Sequence, residues 1–221
     1  KPSYQKRIPD AGGWIQTFTI LNSKRIMPYI DTKNNIPGIR GLIEFRPDAA
    51  VALNQLAQVL LADDASLSKH DRELIASFVS SRNECKFCMT SHGAIAAHHE
   101  GGSMQLVEAV WQDYKSAPIS TKLKMLLNIA DKVRKGGLHV TPQDINAARD
   151  QGANDQDIHD TVLIAATFCM FNRYVDGLGA TTPDDPAIYE IVGKQRAAEG
   201  YLTKSVLVDS PDRKKEGKDE G

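Results

Sequence analysis

From Pro47 onward, apolar residues recur at three- and four-residue spacing, and each run is bounded by residues that start or stop helices. Pro47-Asp48 leads into VALNQLAQVLLA, which ends at Asp63-Asp64. Ser68, with Asp71 three residues on, caps a helix that runs to about Arg82 and carries Leu74, Ile75, Phe78 and Val79 on its apolar face. The next helix covers roughly Glu84 to His99 and stops at Gly101-Gly102. Ser103 caps a short one through Trp111 and Tyr114, and Pro118 with Ser120 opens KLKMLLNIADKVRK, closed at Gly136-Gly137. Thr141-Pro142 starts another, with proline at the first helical position and Gly152 at its end. Asn154 and Asp157 open the long run IHDTVLIAATFCMFNRYVDGLGA, and Pro183 to about Gly200 reads as the last helix. No run shows the period-two alternation of a strand, so the chain reads as all-α.

The flanks differ in texture. Residues 1–40 are broken by Pro2, Pro9, Gly12, Gly13, Pro28, Pro37 and Gly38, with Trp14, Ile15, Phe18 and Ile20 between them. This pattern predicts an extended arm whose apolar anchors pack on the core or on a neighbouring subunit. Residues 41–204 form the helical domain, and 205–221 are polar enough to make a solvated, disordered tail. A length of 221 residues suits one sizeable domain with such extensions. With 41% hydrophobic and 25% charged residues the composition is that of a globular protein, and a formal net charge of -1 argues against nucleic acid or a membrane surface as partner. No apolar run approaches the roughly 20 residues needed to span a bilayer. Three cysteines, two of them in one C-x-x-C, do not make a secreted disulfide framework, which points to the cytoplasm. A chain beginning at Lys1 also leaves room for a removed leader.

The candidate chemistry lies in Glu73–His92, ELIASFVSSRNECKFCMTSH. If the segment from Cys85 is helical, Cys85, Cys88 and His92 fall at i, i+3 and i+7, a single stripe on one face. The turn Ser81-Arg82-Asn83 can fold the preceding helix back as a hairpin, so that Glu73 faces the thiols. Thiolate is the reactive form of cysteine, and a helix N-terminus favours it. Two thiols, an imidazole that relays a proton and a carboxylate that orients it suit oxidation by a peroxide, closure to a disulfide and reduction by a dithiol. The alternative is a non-catalytic redox-sensing or zinc-binding helical oligomer, with Cys85, Cys88 and His92 as ligands and His98, His99 or Glu73 as a fourth. A second C-x-x-C or an H-x-x-x-H pair is missing, so metal binding ranks below redox chemistry, and no cofactor is called for. Among other residues, Cys169 reads as core, Trp111 and Tyr114 as core or interface, His98 and His99 as groups compensating a helix dipole, His70 as an exposed first-turn histidine, and Arg173 with Asp176 as an ion pair.

The pattern Glu73-x11-Cys85-x2-Cys88-x3-His92 resembles the alkylhydroperoxidase D (AhpD-like) branch of the carboxymuconolactone decarboxylase family, in particular its peroxidase-related subgroup. The likeness spans roughly residues 36–185, including Ile36-Pro37-Gly38 and the closing Phe171 to Leu178. It implies a helical fold assembling as a homo-oligomer, a trimer or hexamer, and reduction of hydroperoxides or disulfides at the expense of a dithiol or thiol protein. Carried over residue by residue, Cys88 is the nucleophile, Cys85 the resolving thiol, and His92 with Glu73 the proton relay. Founding members have histidine immediately before the second cysteine, where this chain has Phe87, so one relay component is missing. The decarboxylase branch lacks the cysteine pair, and decarboxylation is not implied.

Overall fold

A computed structural model describes residues 27–99 and 101–202. The anchors Trp14 to Ile20 of the expected arm and the polar tail lie outside the described residues. Those described form nine α-helices and no strand, as the periodicity predicts: α1 (Gly38–Phe45), α2 (Pro47–Ala57), α3 (Lys69–Arg82), α4 (Lys86–His98), α5 (Met104–Asp113), α6 (Thr121–Lys135), α7 (Pro142–Asp150), α8 (Asp155–Gly177) and α9 (Pro186–Glu199).

The starts follow the capping residues. The hydroxyls of Ser68, Ser103 and Ser120 accept the backbone N–H groups of Asp71, Leu106 and Leu123. Thr141 with Asp144 and Asn154 with Asp157 form reciprocal capping boxes. Each such cap contributes about 1 kcal/mol. At the far end of α2 the chain widens into a π turn, Gln58–Ala62, which periodicity does not reveal. Buried Arg72 reaches back from α3 and donates to the carbonyls of Leu60 (3.0 Å) and Asp63 (2.7 Å), satisfying acceptors that the widened turn strands. The short α1 is likewise unforeseen, since eight residues next to Pro37 give too little periodicity.

The core is organised about α3. Its Leu74, Ile75, Phe78 and Val79 are fully buried, together with Leu126, Leu127 and Ile129 of α6 and Ile164 of α8. Burial of each such side chain stabilises the fold by roughly 1.5–3 kcal/mol. Tyr114 meets Phe78 edge to face, at 5.1 Å between centroids, and Trp111 donates its indole N–H to Ser77 (2.8 Å). α4 folds back along α3. Their turn is tied to α8 by Asn83, which donates to Asn172 (2.9 Å), while Asn172 donates to Ser80 (3.0 Å). α9 then crosses α4 so closely that a Cβ on Gly193 would lie 2.8 Å from that of Ala94. Before α1, the Tyr29 and Gly38 N–H groups bond to the Leu178 and Thr181 carbonyls, so the described end of the arm lies against the segment after α8.

Two expectations are corrected. His70 is buried, not exposed, because its Nδ1 lies 3.0 Å from the Ala96 carbonyl at the end of α4. Arg173 and Asp176 do not pair: Arg173 donates to the Cys169 carbonyl of its own helix (2.8 Å), and Asp176 faces Cys85. None of the described helices is long and apolar enough to cross a membrane.

Candidate active site

The four sequence-predicted residues fall into two neighbouring groups along α4, with Glu73 reaching in from α3. In the first, Cys85 sits at the N-cap rather than inside the helix. Its N–H donates to Ser80 and its carbonyl accepts from Met89 (both 3.0 Å). Glu84, at φ +62°, turns the chain sharply there, so the helix starts at Lys86 and the expected stripe begins only at Cys88. Both thiols are free and buried, at 0% and 3% exposure, beside Val175 of α8. A hydrogen bond to Cys88, burial and the charge on Cys88 together push the Cys85 thiol far up from its ordinary value. Asp176 also meets Cys85. Although the residue is exposed overall, burial pushes its carboxyl up, opposed by the thiol's hydrogen bond.

The second group forms one turn beyond Cys88. Glu73 is 1% exposed, and its Oε2 accepts from His92 Nδ1 at 2.7 Å. A residue that no motif or periodicity singles out completes it: the Tyr201 hydroxyl donates to the other carboxylate oxygen, Oε1, at 2.5 Å and lies 3.3 Å from His92 Nδ1. The Tyr201 ring stacks over the imidazole, and Phe168 meets the imidazole edge to face at 4.5 Å. Burial first, then the Glu73 charge and hydrogen bond, push the Tyr201 phenol well above its usual range. Gly200, at φ +71°, turns the chain so that Tyr201 enters. Gln58 accepts its N–H (2.7 Å), and the Arg196 guanidinium lies 5.8 Å from its ring. A cavity of about 110 Å³ adjoins this group, walled by Glu73, Tyr201, Lys69, His99 and Gly200. Burial lowers the His99 imidazole there, with Glu73 opposing it.

α9 packs against α4 beside both groups, with Tyr189 next to Phe87 at the thiol end and Tyr201, just past the helix, stacked on His92. Burial and the nearby charges of Asp184, Cys88 and Cys85 push the Tyr189 phenol up, and its hydroxyl donates to the Pro183 carbonyl (2.9 Å). Phe87 packs over Gly38 and lies 6.3 Å from Tyr189, against α1 and α9 rather than against Glu73. Among the described residues no group of three or more His, Cys, Asp or Glu is placed to hold a metal ion, and His98 pairs with Glu190 (3.1 Å).

Residues 47–114, which include all four predicted site residues, match the model of the carboxymuconolactone decarboxylase family. Among solved structures, the fold is similar to the AhpD core of an uncharacterized peroxidase-related protein from Ralstonia eutropha JMP134. That match has a TM-score of 0.64 and 29% identity, over 72% of this chain and 81% of that one. A second uncharacterized peroxidase-related protein, from Silicibacter sp. TM1040, matches with TM-score 0.63 and 29% identity, over 70% and 78%. A protein of unknown function from Agrobacterium tumefaciens shares the fold at 20% identity (TM-score 0.55, over 65% and 97%). No curated protein matches the chain.

Proposed function

We propose that this chain, which matches the carboxymuconolactone decarboxylase family over residues 47–114 and is similar in fold to an AhpD core, is an AhpD-like thiol-dependent peroxidase or disulfide reductase. The observation that carries the proposal is the Glu73–His92–Tyr201 network, held one helical turn from a buried pair of free thiols. The two structures at 29% identity are named as peroxidase-related, which supports the same reading.

Cys88, in the first turn of α4, takes the nucleophile's role, because N–H groups at a helix start favour an anion there. Its thiolate attacks the terminal oxygen of a hydroperoxide. An S–O bond forms, the O–O bond breaks, and the departing alkoxide takes a proton supplied by way of His92 and leaves as an alcohol. Cys85, three residues before Cys88, takes the resolving role. As its sulfur attacks the sulfenic acid an S–S bond forms, and the Cys85 proton passes to the leaving hydroxyl group, which departs as water. A dithiol restores both thiols by exchange, supplying two electrons and two protons. Glu73 and Tyr201 fix the imidazole and return its proton. Exposed Phe45, Val51, Val59, Met170 and Ile191 offer apolar surface for a homo-oligomer, which sedimentation would size.

The deciding experiment is intact-mass analysis of reduced protein titrated with an organic hydroperoxide, followed by peptide mapping. Loss of two hydrogens, mapped to a Cys85–Cys88 disulfide, is expected. Unchanged mass at excess peroxide would end this reading.

A further inference from the structure

The thiol end is bordered by a groove that neither the relay nor the thiols use. It encloses about 40 Å³ between α1, the start of α4 and α9, and its walls include Pro37, Phe87, Pro183, Ile188 and Tyr189. Phe87 packs against the buried cluster of Cys85, Cys88 and Val175 on one side, and its ring lies 6.3 Å from that of Tyr189 on the other. The groove therefore borders the thiol pair. Its lining is mostly apolar, and its polar members are Ser91, Arg196, whose guanidinium donates to the Gly200 carbonyl, and Arg40 at the α1 edge. Arg40 contributes a guanidinium whose Nε is buried and has no hydrogen-bond partner. Glu44, one turn along α1, attracts it electrostatically, yet burial still lowers the guanidinium from its ordinary value. Leaving a buried N–H donor unpaired is unfavourable, and an oxygen acceptor brought by a ligand removes that penalty. Nearby, Lys86 donates to Asp184 at 2.8 Å and the Tyr189 hydroxyl donates to the Pro183 carbonyl.

We propose that this groove binds an organic acid: a short alkyl chain lies between Phe87 and Tyr189, and its carboxylate is bound by Arg40. The inference rests on the peroxidase reading for its consequence, which is a preference for hydroperoxides that carry a carboxylate over those that do not. An alkyl tail excludes water from the walls, and a charge-assisted hydrogen bond to the guanidinium fixes which end faces the sulfur.

The test has two arms. In the first, hexanoate and hexan-1-ol are titrated by calorimetry into the reduced Cys88→Ser protein, where no redox chemistry can intervene. Hexanoate is expected to bind at least about tenfold more tightly than the alcohol, and Arg40→Met is expected to abolish that difference. Arg40→Lys, which keeps the charge, should retain part of it and serves if the methionine variant fails to fold. Equal affinity for acid and alcohol, or hexanoate binding unaffected by Arg40→Met, would overturn the proposal. In the second arm, the wild-type ratio of kcat/KM for 6-hydroperoxyhexanoate over tert-butyl hydroperoxide should exceed that of Arg40→Met by about tenfold. The two readings fail separately. Arg40-dependent hexanoate binding without turnover of either hydroperoxide leaves the groove standing and removes the peroxidase. Turnover of both without a carboxylate preference does the reverse.

Discussion

Cys85 and Cys88 lie among Val175, Ile39, Phe87 and Ala180, whereas one turn further along α4 His92 lies between a carboxylate and a phenol, beside a polar-walled cavity. The same helix thus carries an apolar end and a wired end, and α9 packs beside both. On the peroxidase reading proposed above, the difference separates two jobs. Burial beside Cys88 raises the Cys85 thiol at the apolar end. Hydrogen-bonded partners for a proton stand at the other end, where Glu73 accepts from two donors at once.

The sharpest way to break the comparison is at the thiol end. Cys88→Ser is expected to reduce turnover to the uncatalysed background. Cys85→Ser should still react once and stop at a sulfenic acid on Cys88 that dimedone traps. If the first variant retains activity, or the second is trapped on another residue, the roles are misassigned. The relay end should give a smaller effect. Positioned acid–base groups contribute about 10²–10⁴-fold, so Glu73→Gln should lower kcat/KM by roughly 10² while stoichiometric oxidation to the disulfide still completes. Stopped-flow rates with an organic hydroperoxide measure it, and an unchanged rate would mean that the carboxylate is structural only.

Tyr201 ranks third. Tyr201→Phe removes one hydroxyl and leaves the ring on His92, so the expected loss is about tenfold in kcat/KM and about 1 kcal/mol in urea stability. A drop in stability with no change in the pH–rate profile would make the residue a plain structural strut.

This ranking follows what could be read from the chain. Glu73, Cys85, Cys88 and His92 lie within twenty residues, so helical spacing alone suggests that they meet, and the capping serines locate the helices that carry them. Tyr201 lies 109 residues beyond His92. No periodicity joins them, and only the crossing of α9 over α4, with Gly193 against Ala94, places that hydroxyl on Glu73. Phe87 shows the converse: its ring lies against α1 and α9, while the hydroxyl that joins Glu73 and His92 comes from the far end of the chain. Local spacing reveals the hairpin, while the partners that complete each end come from tertiary packing, as with Arg72 at the π turn and Asn172 at the hairpin turn.

The smallest effect tests both ends in one titration. Cys85 and Tyr201 both have folded-state values raised above those of the unfolded chain. Each therefore contributes stability that is complete below its unfolded value and is lost as pH rises from there towards the folded one. The unfolded values differ, about 8.5 for a thiol and about 10 for a phenol. The reduced protein should therefore begin to lose stability above pH about 8.5 as Cys85 yields, and more steeply above about 10 as Tyr201 joins it, together with Tyr114, Tyr174 and Tyr189, whose phenols burial also raises. Each group's slope is at most about 1.4 kcal/mol per pH unit. Urea midpoints from pH 7 to 10.5 follow both. Cys85→Ala should flatten the first segment and leave the second, and Tyr201→Phe should leave the first and make the second shallower without abolishing it. A single slope unaffected by either variant would mean that the two ends do not titrate separately.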